Sequence, residues 1–269
     1  MKPGKQCTDL PPPTGCAEPG VTPDRRQCED DVVAGPWESV WAEVINRTRS
    51  IFSPLWPNQT KVKAGHSRTL AHAFYSSIRA AMCSSIGPLD YLEIGSQAGL
   101  SMSMVGALLR SEGVLGELVS VDPYECELGS CHPGTAGNVS LSAMDERIAI
   151  RLADAGRDPR GRRGYLPIAE WVYEVTDLRV TLVRQESRTA LLNLSAMFDI
   201  VYIDGWHSEL AVWTDLVLSL PRLRRGGVVM LDDWNLRFFS RLLGPIRALL
   251  PPFLESFKSL HAIAQRAQP

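Results

Sequence analysis

The sequence has little of several things, and each shortage removes a class of function. It has no basic excess: 28 Lys and Arg stand against 30 Asp and Glu, a net charge of −2. Nothing in that balance grips a phosphate backbone, so a nucleic-acid partner is not expected. It has no apolar run near the roughly 18 residues that cross a bilayer, so no membrane span is expected. Met1 to Asp9 lacks the apolar core of a secretory leader. None of the six cysteines is spaced C-x-x-C, which leaves no paired ligand set for zinc. His132 beside Cys131 stands without a second close pair. The G-x-G-x-x-G dinucleotide fingerprint is absent. Apolar content of 45% with 22% charged residues is nonetheless ordinary for a globular chain, which excludes wholesale disorder.

Asparagine is also scarce, and its placement is unusual. Only five occur, and four open an N-x-S/T sequon: Asn46, Asn58, Asn138 and Asn193. Ser and Thr frequency in this chain gives about one match by chance. One reading is a lumenal or secreted glycoprotein whose leader is missing from the sequence; the other is coincidence in a cytoplasmic protein. The cysteines fit either. Cys7, Cys16 and Cys28 lie in a Pro-rich stretch, and Cys126 and Cys131 bracket a loop short enough to close as a disulfide. Cys83 falls on a predicted helix, where a buried thiol is expected.

Three segments follow. Residues 1–36 carry Pro11, Pro12, Pro13, Pro19 and Pro23 and read as a tail or arm. Residues 37–86 form a helical segment. Apolar residues at Trp37, Val40, Trp41, Val44 and Ile45 predict a helix to about Phe52, with Pro36 at its start and Pro54 and Pro57 breaking the chain. A second helix is predicted over His66 to Ser84. Residues 87–269 alternate short apolar runs with helical patterns. Strands are predicted at Leu89–Ile94, Leu118–Val121, Val180–Val183, Asp199–Ile203 and Gly227–Leu231, and helices at Leu100–Leu109 and Glu209–Leu223. A longer excursion between Pro123 and Asp177 holds a helix near Ala143 to Leu152 and a basic turn from Arg157 to Arg163. Apolar strands separated by helices predict an α/β fold, a doubly wound and mostly parallel sheet with helices on both faces and an N-terminal helical extension.

Chemistry-bearing residues gather where those strands end. Glu93-Ile94-Gly95-Ser96-Gln97-Ala98-Gly99-Leu100-Ser101 is a strand, a glycine turn and a helix start, which suits close approach of a ligand, or packing alone. Asp122 ends the next strand, placed to accept ribose hydroxyls or to cap a helix. Asp204 ends the strand before Gly205-Trp206-His207, and Asp232-Asp233 ends the last. If those two strands are parallel neighbours, their carboxyl ends lie about 5 Å apart and the three carboxylates converge at one mouth. Such a cluster without matching cations suits a hard divalent ion such as Mg²⁺. Adjacent residues in a regular strand point oppositely, so Asp232 and Asp233 share an ion only where the strand has turned.

From about Leu89 to Trp234 the chain resembles the class I S-adenosylmethionine-dependent methyltransferases. The likeness is to the small metal-dependent O-methyltransferases, the catechol type and relatives acting on macrolide sugars. Glu93 to Ser101 is similar to the E-x-G-x-x-x-G-x-S motif that holds the methionine portion. The resemblance implies cofactor contacts from Glu93, Gly95, Ser96, Gly99, Ser101, Asp122, Ser187, Asp204 and Trp206, and metal ligation by Asp204, Asp232 and Asp233. The catechol enzymes carry Asn where Asp233 stands. His207 falls where they have a catalytic lysine, so His207, with Asp204, is the candidate base. The expected cofactors are S-adenosylmethionine and a divalent cation, and the expected partner is a small-molecule or glycan hydroxyl acceptor. Two other readings stand beside this one: a nicotinamide-dependent oxidoreductase, and a non-catalytic binding protein on a degenerate methyltransferase fold.

Overall fold

The computed structural model describes residues 36–55, 60–124, 166–206 and 208–232. Two helices come first, α1 (Trp37–Leu55) and α2 (Thr60–Met82). Then β1 (Leu89–Ile94), α3 (Leu100–Ser111), β2 (Leu115–Val121), α4 (Leu166–Val175), β3 (Thr181–Val183) and α5 (Ser187–Asn193) follow. The described chain closes with β4 (Phe198–Ile203), α6 (Glu209–Ser219), a 3₁₀ turn (Leu220–Arg222) and β5 (Leu223–Leu231).

The five strands form one sheet in the order β3-β2-β1-β4-β5, and every described pairing is parallel. Strand order reverses between β1 and β4, which makes their carboxyl ends the switch point of a doubly wound sheet. Alternation of side chains sorts the apolar residues into two cores. One packs Tyr91, Ile200, Tyr202, Val228 and Met230 with Val44, Phe74, Ile78, Met102 and Ile168, from α1 to α4. The other packs Leu92, Ile94, Val121, Val201 and Val229 with Leu191 of α5 and Val212 and Leu216 of α6. Helices therefore cover both faces, and the N-terminal pair shares one core with the sheet. The fold is the expected α/β architecture, a doubly wound parallel sheet with helices on both faces.

Several boundaries differ from the sequence reading. α1 runs through Pro54 to Leu55, past the break expected at that proline. α2 begins at Thr60, well before His66. α6 stops at Ser219, and Pro221 falls in the tighter turn that follows. β5 begins at Leu223, four residues earlier than expected. α4 and α5 were not anticipated. Cys83 corrects a further expectation: it lies in the turn after α2, half-buried, and is disulfide-bonded rather than a free thiol. The other five cysteines lie outside the described residues, as do the expected helix near Ala143 and the basic turn at Arg157–Arg163.

Candidate functional site

The carboxyl edge of the sheet is a continuous row. One residue past each strand, a backbone N–H donates to the last carbonyl of the neighbouring strand. Asp122 donates to Val183 at 3.2 Å, Gly95 to Val121 at 2.9 Å, Asp204 to Ile94 at 2.8 Å and Asp232 to Ile203 at 3.0 Å. Four residues singled out from sequence thus stand side by side along one edge, about one strand spacing apart.

Glu93 lies just inside that edge and is fully buried. Its carboxylate accepts the hydroxyls of Tyr91, at 2.9 Å, and of Ser101 from the first turn of α3. Burial outweighs these hydrogen bonds and pushes its pKa up to about 7. No basic side chain is among the groups that set this value. A buried carboxylate paired only with hydroxyls carries a charge that no cationic side chain among those partners offsets.

The glycine turn is held from two sides. Gly95 has φ 90°, and a Cβ there would meet the Asp204 carbonyl at 2.2 Å. Gly99 has φ 78°, and a Cβ would meet the Tyr173 ring at 2.6 Å. Both glycines are therefore demanded by packing within the protein, whatever ligand the turn receives. Gln97 also has a positive φ, of 44°, and its N–H donates to Asp122 at 2.9 Å. The other Asp122 oxygen accepts the Tyr124 N–H at 2.7 Å. Asp122 is thus the strut between the β1 turn and the β2 turn. Each oxygen keeps lone pairs, so the strut can still receive ribose hydroxyls. Burial raises its pKa, and the two N–H donors oppose that rise.

Beneath the turn is a hydroxyl relay that the sequence reading missed. Ser120 donates to Ser96 at 2.8 Å and shares a 2.6 Å contact with the Tyr124 hydroxyl. Burial pushes Tyr124 up to about 12, so it stays protonated. Tyr91 and Glu93 are two apart on β1 and so share a face, a pairing that spacing alone could have suggested.

On the far side of β1, the Tyr202 hydroxyl donates to Asp204 at 3.4 Å. Burial raises the Tyr202 pKa most, and the charges of Asp204 and Asp232 raise it further. Trp206 is exposed at the mouth. Ser187 opens α5 and lies against Asp215 of α6, a carboxylate that burial pushes up to about 6. Asp215 also lies close under Gly205. His207 and Asp233 lie outside the described residues. Among the described residues no three metal-binding side chains cluster. Asp204 and Asp232 are carboxylates that each follow the last residue of neighbouring strands β4 and β5.

The described residues form a doubly wound parallel sheet with an acidic edge at its switch point. A family model described as "Methyltransferase domain" matches residues 92–234, just over half of the chain, and the chain belongs to that family. Membership makes it a methyltransferase of the S-adenosylmethionine-dependent kind. Three solved structures are similar. The first is a TDP-rhamnose 3'-O-methyltransferase of calicheamicin biosynthesis, at 13% identity, covering 84% of this chain and 83% of that one, with a TM-score of 0.40. Another is an SAH-bound Podospora anserina methyltransferase, at 16% identity, 90% and 87% coverage and a TM-score of 0.37. The third is the plantazolicin methyltransferase, at 11% identity, 74% and 58% coverage and a TM-score of 0.32. No curated protein matches the chain.

Proposed function

We propose that this protein is a divalent-metal-assisted O-methyltransferase that moves the methyl group of S-adenosylmethionine to a hydroxyl of a small molecule or sugar. The observation that carries the reading is the row at the carboxyl edge, where Asp204 and Asp232 occupy equivalent positions on neighbouring strands. Glu93 and the open amino end of α3, which no side chain caps, receive the charged methionine portion. Asp122 receives the ribose hydroxyls. Asp204 and Asp232, with Asp233, would hold the cation, which when bound lowers the pKa of the acceptor hydroxyl and fixes its direction. The chain's further task is positioning, since a sulfonium methyl is already electrophilic and needs a nucleophile in line at close range. His207, whose ordinary pKa lies near neutrality, takes the proton, with Asp204 as its alternative.

Asp204→Asn tests this. The substitution keeps the shape of the side chain and its backbone contacts but halves the charge of the described carboxylate pair. Mg²⁺-stimulated turnover over a panel of hydroxyl acceptors is expected to fall at least about a hundredfold, with S-adenosylmethionine still bound. An undiminished rate in the variant would contradict the metal-assisted reading.

A further inference from the structure

We infer that this chain is an N-glycosylated, disulfide-bonded protein of an oxidising secretory compartment, and that Asn193 is the glycan acceptor its folded surface presents. The sequon excess and the Cys83 disulfide are independent observations, and neither enters the methyl-transfer reading. Disulfides persist where thiols are not kept reduced, which is also where sequons are used.

The two sequons with described side chains differ in a way that ranks them. Asn46 is exposed on α1, but its partner Thr48 is 1% exposed and donates to the Val44 carbonyl at 2.8 Å. The folded chain hides that hydroxyl, so modification at Asn46 requires an unfolded chain. Asn193 closes α5. It is exposed, its amide donates only to Thr189 of its own helix at 3.0 Å, and Ser195 is exposed two residues on. Asn193 and Ser195, the two residues the sequon requires, are both exposed, while Leu194 between them packs against the second core. Leu192, 60% exposed, and Met197, 38% exposed, flank the sequon, and a glycan would shield both. Asn193 precedes the amino end of β4, and Cys83 precedes the amino end of β1. Both lie at the edge of the sheet opposite the methyl-transfer site.

The chemistry balances. Asn193 Nδ2 bonds to the anomeric carbon of an oligosaccharide, that carbon's bond to a lipid diphosphate carrier breaks, and the amide gives up one proton. At Cys83 two thiols lose two protons and two electrons to a disulfide-donating oxidoreductase.

The test uses the full chain isolated from its native cells. Treatment with an N-glycan amidase in heavy-oxygen water is expected to tag the Asn193 peptide, and Cys83 is expected to resist alkylation until a reductant is added. An untagged Asn193, or a Cys83 alkylated without reduction, overturns the inference. Asn193→Gln made in the same cells is expected to lose one glycan and keep its S-adenosylmethionine affinity. An unchanged glycan count in that variant would also overturn it.

Discussion

Glu93 is the residue in which burial and charge are most sharply opposed. Its carboxyl binds more protons folded than unfolded between the ordinary 4.5 and about 7. Its contribution to stability is therefore complete below the ordinary value and lost as pH rises through about 7. Asp215, raised to about 6, acts in the same direction over a lower window. Ligand binding should run the other way, because only the ionised carboxylate attracts a cationic methionine portion. Affinity for S-adenosylmethionine is expected to rise about tenfold between pH 6 and pH 8. Glu93→Gln should flatten both the stability slope and the affinity slope, as read by thermal unfolding and by titration at each pH. A variant that keeps the wild-type affinity slope would assign it to another group. At this scale the sequence was informative about types and positions but not about partners. Asp122 was legible as a strand-end acid. Its role as a strut on the Gln97 and Tyr124 N–H groups was not, because it depends on how two loops meet. Ser120 was hidden inside an apolar strand and has no motif of its own.

Among the elements, the β1 turn sets the tightest demand. Gly95→Ala would place a methyl group against the Asp204 carbonyl at a φ that L side chains avoid. The expected cost is about 3 kcal/mol or more, seen as a lowered Tm together with lost S-adenosylmethionine binding. A variant with wild-type Tm would show that the β1 and β4 turns do not touch as described. The elements that were legible are those whose residues obey one rule. Leu89–Ile94 and Phe198–Ile203 are short apolar runs closed by Gly or Asp, and buried parallel strands read that way. α4 escaped because Leu166–Val175 is mostly apolar, and only Glu170 and Glu174, four residues apart, mark its polar side. α5, at seven residues, is too short for periodicity to register. α1 and α2 were legible as helices but not as parts of the sheet's own core, since amphipathic spacing says that a face is buried and not against what.

Among the described residues, the Arg224 ion-pair cluster and the candidate site sit at opposite edges of the sheet. At the amino edge, Arg224 bridges Asp90 at 2.6 Å and Asp199 at 2.5 Å, while Asp199 also accepts the Asp90 N–H at 2.9 Å. The Asp199 side chain is only 3% exposed, so Arg224→Ala strands a buried charge. Solvent reaches the guanidinium, and the expected loss is about 2 kcal/mol rather than the larger value of a fully buried pair. That loss should appear in Tm with S-adenosylmethionine affinity unchanged. A variant that weakens ligand binding as much as stability would mean the two edges are coupled. The carboxyl edge carries the central claim, and calorimetric titration of S-adenosylmethionine into the wild-type chain and into Asp122→Ala tests it most directly. The account predicts micromolar binding to the wild type and at least about tenfold weaker binding to the variant, the effect of losing hydrogen bonds to a charged group. Equal affinity in the two proteins, or no binding to the wild type, would contradict it.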